Sequence, residues 1–139
     1  MTSYLLDTGF LYALIDNKDA HHNAVLEART LVHGQIIFPI PAITEVCYFV
    51  RLNLGVTALA DFLENLSETA DLSFETPEVS DYVRSAEILR KYNDANIDFV
   101  DACIVAMAER LNIRKILTVD RRHFGIFRPA HCDAFEILP

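Results

Sequence analysis

"NIDFVDACIVAMAERLNIRKILTVDRRHF", residues 96–124, decides the fold. From Phe99 to Ala108 the chain is almost continuously apolar and too long for one strand, so Phe99–Leu111 reads as a buried helix. Asp98 stands just before that run and Asp101 three residues later, the arrangement of a helix cap and its reciprocal partner. "KILTV", residues 115–119, is short and branched, and reads as a strand. A buried helix passing directly into a buried strand is the repeating unit of a parallel sheet. Within this unit, Asp101 and Asp120 sit against the greasiest segments of the chain, where ionised groups are costly to bury.

Outward from this stretch the same alternation continues. "SYLLD" predicts a short buried strand ending at Asp7, followed by a helix over "TGFLYALID". A second helix is expected from Asp19 to His33, stopped by Gly34. "QIIFPI" predicts another strand. Pro41 then opens a helix running to about Asn53, and Gly55 separates it from a helix over Val56–Leu66. "DLSFE" predicts a strand, Glu78 to about Asn93 a helix, and "AFEIL" a last strand. The expected class is α/β with a mainly parallel sheet. No linker, repeat or low-complexity tract interrupts the 139 residues, so residues 1–139 are expected to be a single domain.

Composition narrows the function. The net charge of −8 argues against nucleic-acid binding when taken alone. The charge is uneven, however: residues 1–83 carry 3 basic and 12 acidic side chains, residues 84–139 carry 9 and 8. An acidic protein can still hold a phosphate chain if some of its acids hold cations. Cys47, Cys103 and Cys132 are odd in number, scattered and set in apolar sequence, which predicts reduced thiols rather than a disulfide framework or a zinc site. No apolar run approaches membrane-spanning length and "MTSYLLDTG" is not a signal peptide, so a cytoplasmic protein without a membrane partner is expected.

The informative residues are acids. Asp7 ends a strand and precedes a helix, as a capping residue would. Glu45 falls close behind Pro41, where the helix dipole suits a negative charge. Asp98 and Asp101 suit a cap, and Asp120 suits a cap on the turn "RRHF". Each has this plain reading, but all lie where a strand ends or the next helix begins. In a parallel α/β sheet those positions share one edge, where ligands bind. Asp7, Glu45, Asp101 and Asp120, with Asp98 as an auxiliary, are therefore expected to converge, and their mutual repulsion calls for a neutralising cation. Oxygen donors without a Cys or His cluster point to Mg²⁺, with Mn²⁺ as the alternative.

"YLLDTG", "PAITEV" and "IDFVDACIVAMAERLNIRKILTVDRRHFGIFRP" together resemble the PIN-domain ribonucleases, and among these the VapC-like toxins of prokaryotic toxin–antitoxin pairs. The resemblance covers nearly the whole chain. It implies a three-layer α/β/α fold around a five-stranded sheet, Mg²⁺-dependent cleavage of RNA, a homodimer, and an antitoxin that blocks the site. It places the acidic set on Asp7, Glu45, Asp101 and Asp120, and adds two auxiliary hydroxyls, Thr8 and Thr118.

Arg121, Arg122 and Arg128, with His123, are expected to grip phosphates beside the acids, or else to form a solvated loop with local ion pairs. Phe124 and Phe127 are expected to pack on the sheet rather than stack on bases, and the adjacent His21 and His22 to pack or cap rather than share a metal. "ITEVCYFVRLNL" is apolar on more than one face, which predicts either a helix deep in the core or, the favoured reading, contact with a second subunit or the antitoxin. A receiver-like Mg²⁺-binding signalling domain is the rival class. It wants paired acids after the first strand and a lysine after the last, and "LLDTG" and "AFEILP" offer neither. A phosphatase of the haloacid-dehalogenase type wants a second acid where Gly9 stands. A non-catalytic PIN-type binding scaffold is expected to lack one of the four acids, and none is missing.

Overall fold

The computed structural model describes every residue, Met1–Pro139. Five strands form one sheet: β1 (Ser3–Leu6), β2 (Gln35–Pro39), β3 (Leu72–Glu75), β4 (Lys115–Leu117) and β5 (Glu136–Leu138). Their order is β3-β2-β1-β4-β5 and every neighbouring pair is parallel. The helices are α1 (Thr8–Ile15), α2 (His22–Arg29), α3 (Ile40–Leu54), α4 (Val56–Glu68), α5 (Val79–Lys91), α6 (Phe99–Leu111) and α7 (Arg121–Ile126).

The period-2 geometry of the strands splits the core into two clusters. Tyr4 and Leu6 of β1 pack on one side with Phe10, Val25, Val46 and Phe62 from α1–α4. Leu5 packs on the other with Ile88, Ile104 and Phe124 from α5–α7. Helices thus cover both faces of the sheet, giving the three-layer α/β/α arrangement. Phe124 and Phe127 are fully buried, as expected for side chains that pack on the sheet.

The chain steps outward from β1 to β2 and β3, then crosses back to β4 on the other side of β1 and steps outward again to β5. Every strand nevertheless points the same way, so all strand ends share one edge. Two glycines serve particular needs. Gly55 takes φ +96 at the corner between α3 and α4, in the left-handed region that favours glycine. At Gly9 a Cβ would come 2.8 Å from the Val119 side chain, so the start of α1 can lie against the end of β4 only without a side chain.

Several boundaries move from those the sequence suggests. The helix expected over Asp19–His33 contracts to His22–Arg29, because Asp19 accepts from the His21 amide and holds a turn ahead of it. His22 Nδ1 lies 2.6 Å from the Ala13 carbonyl oxygen, which ties α2 to α1. α3 begins at Ile40, so Glu45 lies beyond its first turn and gains little from the helix dipole. "RRHF" is the first part of a six-residue helix, α7, rather than a turn. The three cysteines are free thiols.

Candidate active site

Asp7 stands where β1 becomes α1. Its backbone N–H donates to the Leu117 carbonyl at 2.9 Å, which continues the β1–β4 ladder past the end of the strand. The side chain is buried and makes no capping bond to α1, so the simple capping reading of Asp7 is not what the structure shows. Instead the Thr118 hydroxyl donates to Asp7 Oδ2 at 2.8 Å, and Thr118 Oγ1 accepts from the Asp120 amide at 3.0 Å. Thr118, itself fully buried, therefore joins the two acids that end β1 and β4.

Asp98 and Asp101 form a reciprocal capping box at the start of α6. Asp98 Oδ1 accepts from the Asp101 amide at 3.2 Å, and Asp101 Oδ2 accepts from the Asp98 amide at 3.1 Å. Asp120 caps α7: Oδ1 accepts from the His123 amide at 3.0 Å, and Oδ2 lies 2.8 Å from His123 Nδ1. Three of the acids thus have local structural duties, as a plain capping reading expects. Those duties do not account for their convergence.

Asp7, Glu45, Asp98, Asp101 and Asp120 all line one open cleft of about 550 Å³ at the carboxyl edge of the sheet. The sequence-predicted acids are brought together there without exception, with Thr8 among them. Thr118 stands behind the cleft wall and acts on it through Asp7. Of the other polar lining residues, Asp19 and Asn96 are not expected from the sequence, and His123 is expected beside the acids only as one of a basic group. Asp19 sits in a loop that carries no motif, and Asn96, just ahead of the α6 cap, adopts φ +55. His123 was grouped with its basic neighbours, because its register toward Asp120 exists only once α7 is a helix.

Electrostatics mark the cleft as unbalanced. Burial pushes the Asp7 carboxyl up to about 6, with Glu45 and Asp120 adding repulsion and the Thr118 hydroxyl offsetting only part. Burial likewise raises Asp101 to about 7, and the charges of Asp98 and Asp7 push the same way. No lysine or arginine lines the cleft. Thr8 Oγ1 is buried on the cleft wall and has no hydrogen-bond partner, the one side-chain polar atom so stranded. Groups that lack a counter-charge and a partner in this way fit a hard divalent cation with its water and phosphate ligands. The donors that lie within 4.8 Å of one another are those of Asp101, Asp120 and His123. Asp7 and Glu45 line the same cleft outside that tight group.

The arginines are placed differently from the acids. Arg121 donates from Nε to the Pro139 carbonyl at 2.5 Å and from Nη2 to the Ile137 carbonyl at 3.1 Å, bracing the end of β5. Arg128 donates from Nη1 to the Gly125 and Phe127 carbonyls. Arg122 is exposed. None of the three lines the cleft.

Comparison with known proteins identifies the family and the fold. A family model described as the PIN domain matches residues 4–127. The chain is 31% identical over 135 residues to Ribonuclease VapC26 of Mycobacterium tuberculosis (strain ATCC 25618 / H37Rv), covering 97% of this chain and 99% of the relative. Among solved structures, Mycobacterium tuberculosis VapC20, described as a sarcin–ricin loop cleaving toxin, superposes with a TM-score of 0.74 at 18% identity, over 81% of this chain and 86% of that one. VapBC2 from Rickettsia felis, bound to a DNA fragment from its promoter, superposes with a TM-score of 0.68 at 17% identity, over 99% of this chain and 100% of that one.

Proposed function

The chain belongs to the PIN-domain family, and from that premise we propose that it is a metal-dependent endoribonuclease, the toxin of a VapBC-type pair, acting through a single nuclease domain over residues 1–139. The observation that carries this reading is the convergence of mutually repelling carboxylates, Asp7 buried and Asp101 half-buried, in a cleft lined by no lysine or arginine. The relative at 31% identity is a ribonuclease by name, and it matches nearly end to end.

Asp7, Glu45, Asp101 and Asp120 are assigned as the residues that hold Mg²⁺, or Mn²⁺ in its place. The bound cation supplies Lewis acidity, activating water as the nucleophile and offsetting charge on the scissile phosphate. The chain supplies the rest. The Asp98–Asp101 box and the Thr118 bridge fix the carboxylates before substrate arrives, so little reorganisation is needed. The Thr8 hydroxyl, unpartnered within the protein, is positioned to donate to a phosphate oxygen. Arg122 has no hydrogen-bond partner in the protein and is assigned to the RNA backbone. Arg121 and Arg128 keep unused N–H donors for the same purpose.

An antitoxin protein is the expected partner, and the working unit is a homodimer in the cytoplasm. No helix is long and apolar enough to cross a membrane. Tyr48, Leu52 and Leu54 of α3 and Val56 and Leu63 of α4 are exposed, more apolar surface than a helix pair with one buried face leaves open. Phe49 sits at the cleft rim against Tyr12, so a charge there would also disturb the site. Leu52→Glu tests the surface cleanly: light scattering should show loss of the dimer or of antitoxin binding. A folded variant unchanged in both would remove this face from the interfaces.

The activity itself is tested by incubating purified protein and its Asp101→Asn variant with total RNA and Mg²⁺, then sequencing the 5′-phosphate ends. Discrete ends are expected with the wild type and none above background with the variant. Equal cleavage by both would end the assignment.

A further inference from the structure

We propose that His123 is a nitrogen ligand of the cation site, which makes that site mixed in nitrogen and oxygen and shifts its preference from Mg²⁺ toward Mn²⁺. The inference rests on the metal-dependent reading above, to which it adds a residue and a selectivity. Asp101, Asp120 and His123 each bring one donor atom into a group no wider than 4.8 Å. In an octahedral shell with bonds of about 2.1 Å, adjacent ligands lie about 3.0 Å apart and opposite ligands about 4.2 Å. The 2.8 Å from His123 Nδ1 to Asp120 Oδ2 is close to such an edge.

The imidazole is held in that register. Its own backbone N–H caps onto the other oxygen of Asp120 at 3.0 Å, which fixes the start of α7 beside that carboxylate, and the ring reaches the second oxygen from there. The side chain is only 21% exposed, and it faces the cleft rather than bulk water. A second feature of the same cleft independently asks for a ligand: the buried Thr8 hydroxyl without a partner. Imidazole is a poor donor for Mg²⁺, which prefers oxygen, and a better one for transition metals. A ring placed among the carboxylates therefore separates the two cations in a way that oxygen ligands alone would not.

Pulsed electron paramagnetic resonance on the purified full chain loaded with Mn²⁺ alone tests this directly. The wild type should show a directly coordinated nitrogen, whose signal changes to the ¹⁵N pattern on labelling the histidines with ¹⁵N and disappears in His123→Ala. By titration, Mn²⁺ affinity should fall about tenfold or more in His123→Ala, while Mg²⁺ affinity, read by competition, falls less. If Mn²⁺ binds the wild type in a manner that Asp101→Asn weakens, yet no nitrogen is coordinated, His123 only orients Asp120 and the proposal fails while the metal reading stands. A nitrogen signal that persists in His123→Ala also overturns it. Failure of the wild type to bind either cation would overturn both. The wild-type spectrum needs no variant to fold, so the decisive measurement does not depend on one.

Discussion

Asp81 and Asp101 occupy the same local position in two helices that pack against each other. Each is the third residue of its helix, in a reciprocal capping box with the residue three before it, Glu78 for α5 and Asp98 for α6. Their tertiary neighbours are opposite. Asp81 is buried and receives the Arg110 guanidinium, whose Nε lies 2.9 and 3.2 Å from its two oxygens. Asp101 faces Asp98 and Asp7, and burial with those charges raises it to about 7. Identical capping chemistry therefore says nothing about role. What separates the structural acid from the functional one is whether the protein supplies its counter-charge.

The largest expected difference is in activity. Asp101→Asn keeps an acceptor for the capping box but loses charge in the cleft, and should reduce RNA cleavage by about 10²- to 10⁴-fold. Asp81→Asn should leave the turnover of the folded fraction within about twofold, because Asp81 pairs with Arg110 in the last turn of α6, at the other end of that helix from Asp101, and is not itself among the residues that line the cleft. Single-turnover cleavage, corrected for folded fraction by circular dichroism, measures both. Equal losses would mean that α5 and α6 share the chemistry and would break the contrast.

Stability should then move in opposite directions. Asp81→Asn leaves the half-buried Arg110 facing a neutral amide, and breaking a buried pair in this way costs about 3 kcal/mol. Glu75 and Glu78, at 3.3 and 3.4 Å from Arg110, hold the loss near that lower figure. Asp101→Asn should instead stabilise the metal-free protein at pH 8 by on the order of 2 kcal/mol. The sign follows from a folded pKa near 7 against an ordinary value of 3.8. The native state keeps a proton that the unfolded chain releases, so this contribution is full below about pH 4 and is lost as pH rises through 7. Mg²⁺ at a hundredfold excess over its dissociation constant should restore about 2.7 kcal/mol to the wild type and less to the variant. Thermal melts in EDTA and in Mg²⁺ separate these outcomes. A destabilising Asp101→Asn in EDTA would reduce Asp101 to a cap.

The same contrast explains what was legible in the sequence. α6 is read at its observed bounds, Phe99–Leu111, because its apolar run and its cap agree, and the strands stand out as short branched runs between helices. Asp7, Glu45, Asp101 and Asp120 could be placed on one edge because a parallel sheet fixes where strand ends go. Pairings that depend on packing were not accessible. Asp81 and Arg110 are 29 residues apart, and nothing local to "EVSD" distinguishes it from "DFVD". His123 looked like one more basic residue because its approach to Asp120 needs the helical turn of α7. The sequence lets the arginines beside it reach phosphates or form a loop with local contacts, and the hold of Arg121 on β5 is visible only once the C-terminal strand is in place.

The smallest expected effect concerns the caps themselves. Glu78→Ala and Asp98→Ala each remove an N-cap, and each should cost about 1 kcal/mol. Their pH dependence should differ. Asp98 adds to the charge that raises Asp101, so at pH 8, with Asp101 ionised, removing Asp98 also relieves repulsion and part of the capping cost is offset. At pH 5 Asp101 is protonated, no repulsion is relieved, and the full cost remains. Glu78 stands beside Asp81 as Asp98 stands beside Asp101, but the Arg110 guanidinium, at 3.4 Å from Glu78 and 2.9 Å from Asp81, offsets their repulsion. Removing Glu78 therefore relieves nothing at pH 8 and should cost at least as much there as at pH 5. Urea unfolding of both variants in EDTA at the two pH values measures this. The Asp98→Ala penalty should shrink on going from pH 5 to pH 8 while the Glu78→Ala penalty does not. Parallel behaviour would mean that the acids of the cleft do not interact through Asp101, and that the two capping boxes differ in sequence alone.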